Sequence, residues 1–283
     1  MTTELPSKFL KVLHRQETGE ALGLIACAGF ELGEWRAKKL AEHLMNWLPH
    51  FALRNGEMES IGPQNHFKVV KEAASRVFKS GASDKRGEIG ELLLHIVCVT
   101  EYRAHAFLSR LFYKMRTNDQ VTGFDSTLVT YDPDADEIEL WLGEAKFYTD
   151  TKQAVAAALE SLTGHLEQGF LEETKILIGP KVEPSTPGYA QLQWLFDDGN
   201  TLDELIARIV VPVLVASESA AAADYSKNPD GYGSLVIEEY QYIRGRLSES
   251  SLQDRVRIIV IYVPLASKDR LVKEFVSKLE AFE

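Results

Sequence analysis

Two unbroken apolar runs, Ile209–Ala216 and Ile258–Leu265, constrain this chain more than anything else in it. Each is far shorter than the roughly 20 residues a membrane-spanning helix needs. Each also holds a proline, Pro212 or Pro264, so both predict buried strands and not helices. Helix-period stretches surround them, which gives a mixed α/β order. At 283 residues the chain is long enough to bury a sizeable core, as one large domain or two small ones.

Two helices are predicted first. Leu32, Trp35, Leu40, Leu44, Trp47, Leu48 and Phe51 recur close to every 3.6 residues. Val69, Val70, Ala73, Val77 and Phe78 do the same after the Gly62-Pro63 break. The polar stretch Ser80–Gly87 is the natural joint, dividing a helical region over residues 1–83 from an α/β domain over residues 84–283. Beyond it, Glu88–Tyr102 predicts a strongly apolar helix. Strands are expected at Leu108–Met115, Phe124–Tyr131 and Ile138–Tyr148, the last two joined as a hairpin by Tyr131-Asp-Pro-Asp-Ala-Asp136. Next come a helix over Thr151–Phe170, a strand over Thr174–Gly179 and a loop over Lys181–Gly188. The short helix Asp203–Arg208 leads into the first apolar run, and Ala220–Gly233 reads as a flexible segment. The strand Arg255–Pro264 and the helix Lys268–Phe282 close the chain.

The chemistry is concentrated in Ile138–Phe147. Side chains alternate faces along a strand, so Ile138, Leu140, Leu142, Glu144 and Lys146 share one face. An apolar face that ends in a carboxylate and an ammonium makes an odd core but a good active-site floor. Ala145 points the other way, which leaves its carbonyl between them. Asp125, on the neighbouring hairpin strand, comes within reach of Glu144 in a plausible register. Two carboxylates and a carbonyl are hard oxygen ligands of the kind Mg²⁺ takes. Lys146 would then orient an attacking water or stabilise charge at the reacting phosphorus. The bland alternative is a cross-strand ion pair on a solvated face, worth about 0.2–1 kcal/mol.

Glu-x-Lys alone is a weak signal, and Glu173-Thr174-Lys175 repeats it. That copy opens its expected strand and has no hairpin aspartate just upstream. Glu88 and Glu91 lie three apart on one helix face, with His95 one turn past Glu91. Glu91 adjoins Leu92–Leu94 and so belongs nearer the buried side, where it could add a ligand or hold a bound water. Asp132, Asp134 and Asp136 mimic a calcium loop, but Glu137 stands where its glycine should be, so turn chemistry is expected. His43 and His50 decorate the first helix, the 7 histidines show no zinc spacing, and no phosphate-binding glycine loop occurs. Gly231-Tyr-Gly233 reads as a turn, and Gln153 as an exposed helix residue, with a substrate contact near the site as its alternative.

In spelling and order, this region resembles the PD-(D/E)xK nucleases: a helix with Glu91, then Asp125, then Glu144-Ala145-Lys146 at a strand end, then a helix. Gly90-Glu-Leu-Leu-Leu-His95, Leu111-Phe-Tyr-Lys114, Gly123-Phe-Asp125 and Leu142-Gly-Glu-Ala-Lys-Phe-Tyr148 are similar to signature stretches of the nuclease subunit of Hachiman antiphage systems. The resemblance implies a restriction-endonuclease-like mixed sheet flanked by helices, with an N-terminal helical region. It implies that Asp125 and Glu144 bind metal, Lys146 is catalytic and Glu91 is a supporting acid, with the Ala145 carbonyl as a further ligand. The cofactor would be Mg²⁺, with Mn²⁺ as a substitute. A partner helicase subunit, DNA as substrate, the bacterial cytoplasm and a role against phage come with it. Gly-Phe-Asp stands where many such nucleases have Pro-Asp. Two rival readings stay open: an inactive adaptor that keeps the fold to bind a helicase, and a restriction or repair nuclease of the same fold.

Charge and leader complete the reading. With 31 Lys and Arg against 42 Asp and Glu, the net charge of −11 is the wrong sign for collecting nucleic acid unaided. The nearest thing to a DNA track is Lys71, Arg76, Lys79, Lys85 and Arg86, and Trp194–Phe196 is a candidate docking segment. Glu17 and Glu20 precede the apolar patch Leu22–Phe30, so a secretory leader is not expected. Cys27 and Cys98 sit in apolar settings and read as core thiols of a reducing compartment.

Overall fold

A computed structural model of the chain describes residues 5–19, 21–53, 55–58, 62, 64–77, 87–106, 123–179 and 182–281. Both apolar runs are strands, β8 (Ile209–Glu218) and β9 (Arg257–Leu265), paired in parallel at the centre of one sheet. Almost every residue of each is buried, as expected of strands covered on both faces.

The other strands are β1 (Lys11–Gln16), β2 (Leu22–Cys27), β5 (His105–Ala106), β6 (Ser126–Asp132) and β7 (Glu137–Tyr148), with β3 (Phe30–Glu31) and β4 (Glu34–Trp35) forming a separate small hairpin. Among the described residues the main sheet has seven strands in the order β1-β2-β9-β8-β7-β6-β5. Strands β2, β9, β8 and β7 run parallel, while β1, β6 and β5 add antiparallel edges. The expected mixed sheet flanked by helices is therefore present.

Helices cover both faces. On one side lie α1 (Ala37–Ala52), α3 (His66–Val77), α4 (Gly87–Tyr102) and α11 (Lys268–Glu280), and α2 (Asn55–Met58) adds Met58 to the same core. There Leu40, Leu44, Trp47, Leu48, Leu92, Leu93 and Phe275 pack on Trp141, Phe147, Leu214 and Ile261. On the other side lie α5 (Thr151–His165), α6 (Gln168–Ile178), α7 (Tyr189–Leu195), α8 (Leu202–Ile206), α9 (Ala220–Ala223) and α10 (Tyr232–Ser248). They meet Ile138, Leu140 and Leu142, the alternating face of β7 read from the sequence.

Several expectations need correcting. The expected N-terminal helical region is present in α1 to α3, but unexpected strands lie ahead of it: β2 pairs with β9, and Leu24 and Ala26 join the same core as α1 and α4. Leu32 is no part of α1: it sits fully exposed at the β3–β4 turn with φ 51°. Thr174–Gly179 is not a strand. Leu171, Thr174, Lys175 and Ile178 are buried at helical spacing, and Thr174–Ile178 lies in α6 with Gly179 as its C-cap. The single helix expected over Thr151–Phe170 breaks into α5 and α6 around Leu166. Ala220–Gly233 contains α9 and runs into α10, whose buried Val236, Tyr240, Ile243 and Leu247 follow the helical period. The strand expected at Leu108–Met115 falls outside the described residues. No helix among the described residues is long and apolar enough to cross a membrane.

Candidate active site

The site begins where β6 stops short of β7. Pairing of the two starts at Ser126 opposite Gly143, so β7 runs on past the end of its neighbour. Asp125 fills the step. Its backbone N–H donates to the Gly143 carbonyl at 2.9 Å, and its Oδ2 accepts from the Ala145 N–H at 2.9 Å. Asp125 is thus tied to the backbone on either side of Glu144.

On the other edge of β7, pairing with β8 lapses between Trp141–Val210 and Glu144–Val213, at the level of Pro212, which has no N–H to donate. The crowding here requires Gly143. A Cβ on it would lie 2.3 Å from Ser126 Oγ, 2.8 Å from Leu94 Cδ2 and 3.2 Å from Pro212 Cγ. Glu144 and Lys146 then project together towards α5. Lys146 Nζ lies 2.6 Å from Glu144 Oε1, and their side chains are only 16% and 3% exposed. The solvated cross-strand pair offered as the bland alternative is excluded by that burial.

Glu144 Oε2 makes no hydrogen bond of ordinary geometry. His165, at the end of α5, places its Nδ1 3.5 Å away. Burial alone would push the Glu144 carboxyl up, but His165, Lys146 and Ser161 outweigh it and hold the group below the usual carboxylate range. Burial would likewise lower Lys146, yet Glu144 and Asp125 raise it, so the ammonium keeps its proton. A charged acid–lysine pair in a largely dry setting is what the two residues offer chemically.

Glu91 lies on α4, which packs on the opposite side of the sheet from α5. A Cβ on Gly90, beside it on α4, would lie 3.0 Å from the Phe147 Cβ and 3.6 Å from the Ala145 Cβ. Those side chains face α4, whereas Glu144 and Lys146 face α5. Glu91 is buried and Glu88 half-buried. Asp125, Glu144, Ala145 and Lys146 therefore come together, and Glu91 lies on α4, the helix packed against β7. Among the described residues no three His, Cys, Asp or Glu side chains converge as a metal-holding group.

His165 and Ser161 were not singled out in the sequence, where a lone histidine on an alanine-rich helix carries no motif. Their four-residue spacing, which puts both on one helix face, was the available clue. The second Glu-x-Lys lies on α6, where residues two apart do not face each other, and Lys175 Nζ donates to the Asn200 carbonyl at 2.7 Å. Asp132 accepts from the Asp134 and Ala135 N–H groups, the expected turn chemistry. His43 is buried and not a surface decoration, its ring 6.2 Å from that of Trp47. Gln153 is exposed, Gly231 stands at the start of α10, and Cys27 and Cys98 are buried free thiols. Arg76 of the basic strip is paired with Glu57 and Glu72, and Lys79, Lys85 and Arg86 lie outside the described residues.

A seven-stranded mixed sheet between two helical layers, with an Asp–Glu–Lys set where one strand outruns its neighbour, has the build of a nuclease-like α/β protein. A family model, HamA, matches residues 7–279. The chain belongs to the HamA family, the Hachiman antiphage component that its motifs resemble. No curated protein matches it.

Proposed function

We propose that the chain is a metal-dependent DNA nuclease of the PD-(D/E)xK type and the effector of a helicase–nuclease defence complex. The observation that carries this reading is the buried Glu144–Lys146 pair beside Asp125. A buried ion pair is poor value for stability alone, since desolvation offsets most of its attraction. It is more readily understood as a site that needs both charges.

The donor set fits a hard cation. Asp125 and Glu144 are carboxylates, the Ala145 carbonyl lies on the strand edge between them, and Glu144 Oε2 is buried with no ordinary hydrogen bond. These groups, with Glu91 on α4 as a supporting acid, would hold Mg²⁺ or Mn²⁺. Such an ion, when bound, polarises the phosphodiester and lowers the pKa of a coordinated water. Lys146 keeps its ammonium next to Glu144 and stabilises negative charge building on the phosphate oxygens. Asp125, pinned by two hydrogen bonds to the β7 backbone, holds its carboxylate in a fixed place beside Glu144. Water is the nucleophile, and a P–O ester bond is broken.

The net charge of −11 requires a partner to supply the DNA track, and a helicase subunit fills that role in a heterodimer working in the bacterial cytoplasm. The rival reading is an adaptor that keeps the fold to bind its partner and carries no chemistry. Incubating the chain, with and without its partner, on linear and circular DNA separates the two. The nuclease reading expects cleavage that needs Mg²⁺ and stops with a chelator. No cleavage under any of these conditions leaves the adaptor.

A further inference from the structure

His165 belongs to none of the motifs, yet it meets the buried oxygen of Glu144. Its Nδ1 lies 3.5 Å from Glu144 Oε2, with the two side chains 7% and 3% exposed. The other oxygen, Oε1, is taken by Lys146 at 2.6 Å. An ionised carboxylate can only accept, so the imidazole nitrogen facing it must carry a hydrogen for the contact to be attractive. At 3.5 Å the contact is long, as such contacts often are before substrate and cofactor tighten a site. The centre of the His165 ring also lies 4.7 Å from that of Phe124, the residue before Asp125. One side chain on α5 thus meets Glu144 directly and the Asp125 segment through Phe124.

We propose that His165 is a positioning residue of the nuclease site, holding Glu144 Oε2 so that Glu144 and Asp125 present their carboxylates to a single cation. The inference rests on the metal-dependent reading above. A histidine that merely filled space would be replaced without loss by an apolar ring of similar volume. A histidine that orients a ligand would not, since groups that orient a metal's ligands are typically worth about 10–100-fold in affinity.

The test is direct titration of the full chain with Mn²⁺ by calorimetry or electron paramagnetic resonance, beside a Mg²⁺ titration of cleavage. The variants are His165→Phe, which keeps bulk, His165→Asn, whose amide nitrogen replaces Nδ1, and Glu144→Ala as reference. His165→Phe is expected to weaken Mn²⁺ binding roughly 10–100-fold and to raise half-saturating Mg²⁺ in step, with KM for DNA unchanged. His165→Asn should recover most of that loss. If His165→Phe bound Mn²⁺ as the wild type does while Glu144→Ala did not, this inference would fall and the metal site would stand. Equal impairment of His165→Asn and His165→Phe would also overturn it, pointing to packing alone. If the wild type and Glu144→Ala bound Mn²⁺ equally, the metal-dependent reading would fall and take this inference with it.

Discussion

Glu144 is a charge carried into the interior, and its energetics differ from those of a surface acid. Removing only Lys146 strands a buried carboxylate, so Lys146→Met should cost about 3–5 kcal/mol of stability. Replacing both charges by neutral groups of similar shape, Glu144→Gln with Lys146→Met, should cost less than Lys146→Met alone. Urea unfolding of the two variants measures this, and a double variant less stable than the single one would contradict the buried-pair picture. On α4, Glu91→Gln should raise the Mg²⁺ needed for half-maximal cleavage more than Glu88→Gln does, because Glu91 is the more buried. A Mg²⁺ titration reads the difference, and equal, negligible shifts would make the helix pure scaffold. Period-two alternation was enough to put Glu144 and Lys146 on one face. It could not reveal that a helix would close over that face and bury the pair, nor that His165 on that helix would meet it. Burial and long-range meetings depend on packing, which local periodicity does not encode.

At the scale of elements, the site depends on β7 outrunning β6 and on a lapse in pairing beside Pro212. Gly143 is the residue that permits the crowding. Gly143→Ala would drive its Cβ into Ser126 Oγ, Leu94 and Pro212, two of them parts of neighbouring strands. A loss of about 1–3 kcal/mol is expected, with cleavage falling further than stability because Glu144 is the next residue. Thermal melts and cleavage rates on one preparation compare the two losses. Elements with strong local signals were legible: the all-apolar β8 and β9, the alternating β7, the periodic α1 and α4. Those misread have weak or mixed signals. The stretch from Thr174 to Gly179, at the end of α6, is short, contains a threonine and two isoleucines, and ends before Pro180, which imitates a strand. Strands β1 and β2 precede the first helix, and β2 finds its partner β9 only near the other end of the chain. Nothing local marks such a pairing.

For the molecule as a whole, two charge effects follow. His43, His50 and His95 cluster between α1 and α4, with the rings of His50 and His95 6.1 Å apart. Burial pushes His43 down to about 4 and His95 down to about 3, and it lowers His50 as well. Folded, His43 and His95 stay neutral down to about pH 4, whereas the unfolded chain protonates them below about 6.5. Stability should therefore be constant from these groups above pH 6.5 and fall as pH drops towards 4, each contributing up to about 1.4 kcal/mol per pH unit. Urea midpoints across that range measure the slope, and His95→Phe should flatten it. The net charge of −11 sets the second effect. The isolated chain should bind DNA poorly at physiological salt and its complex with a helicase tightly, so a titration across salt concentrations that gave submicromolar binding by the chain alone would remove the need for a partner. The claim on which the rest depends is that Asp125, Glu144 and Lys146 cut DNA. It is tested most directly by the Mg²⁺-dependent cleavage rate of the partner-bound chain carrying Glu144→Gln and Lys146→Met, beside the wild type and with folding checked by circular dichroism. A folded variant with no cleavage above background is the expected result; cleavage at the wild-type rate would contradict it.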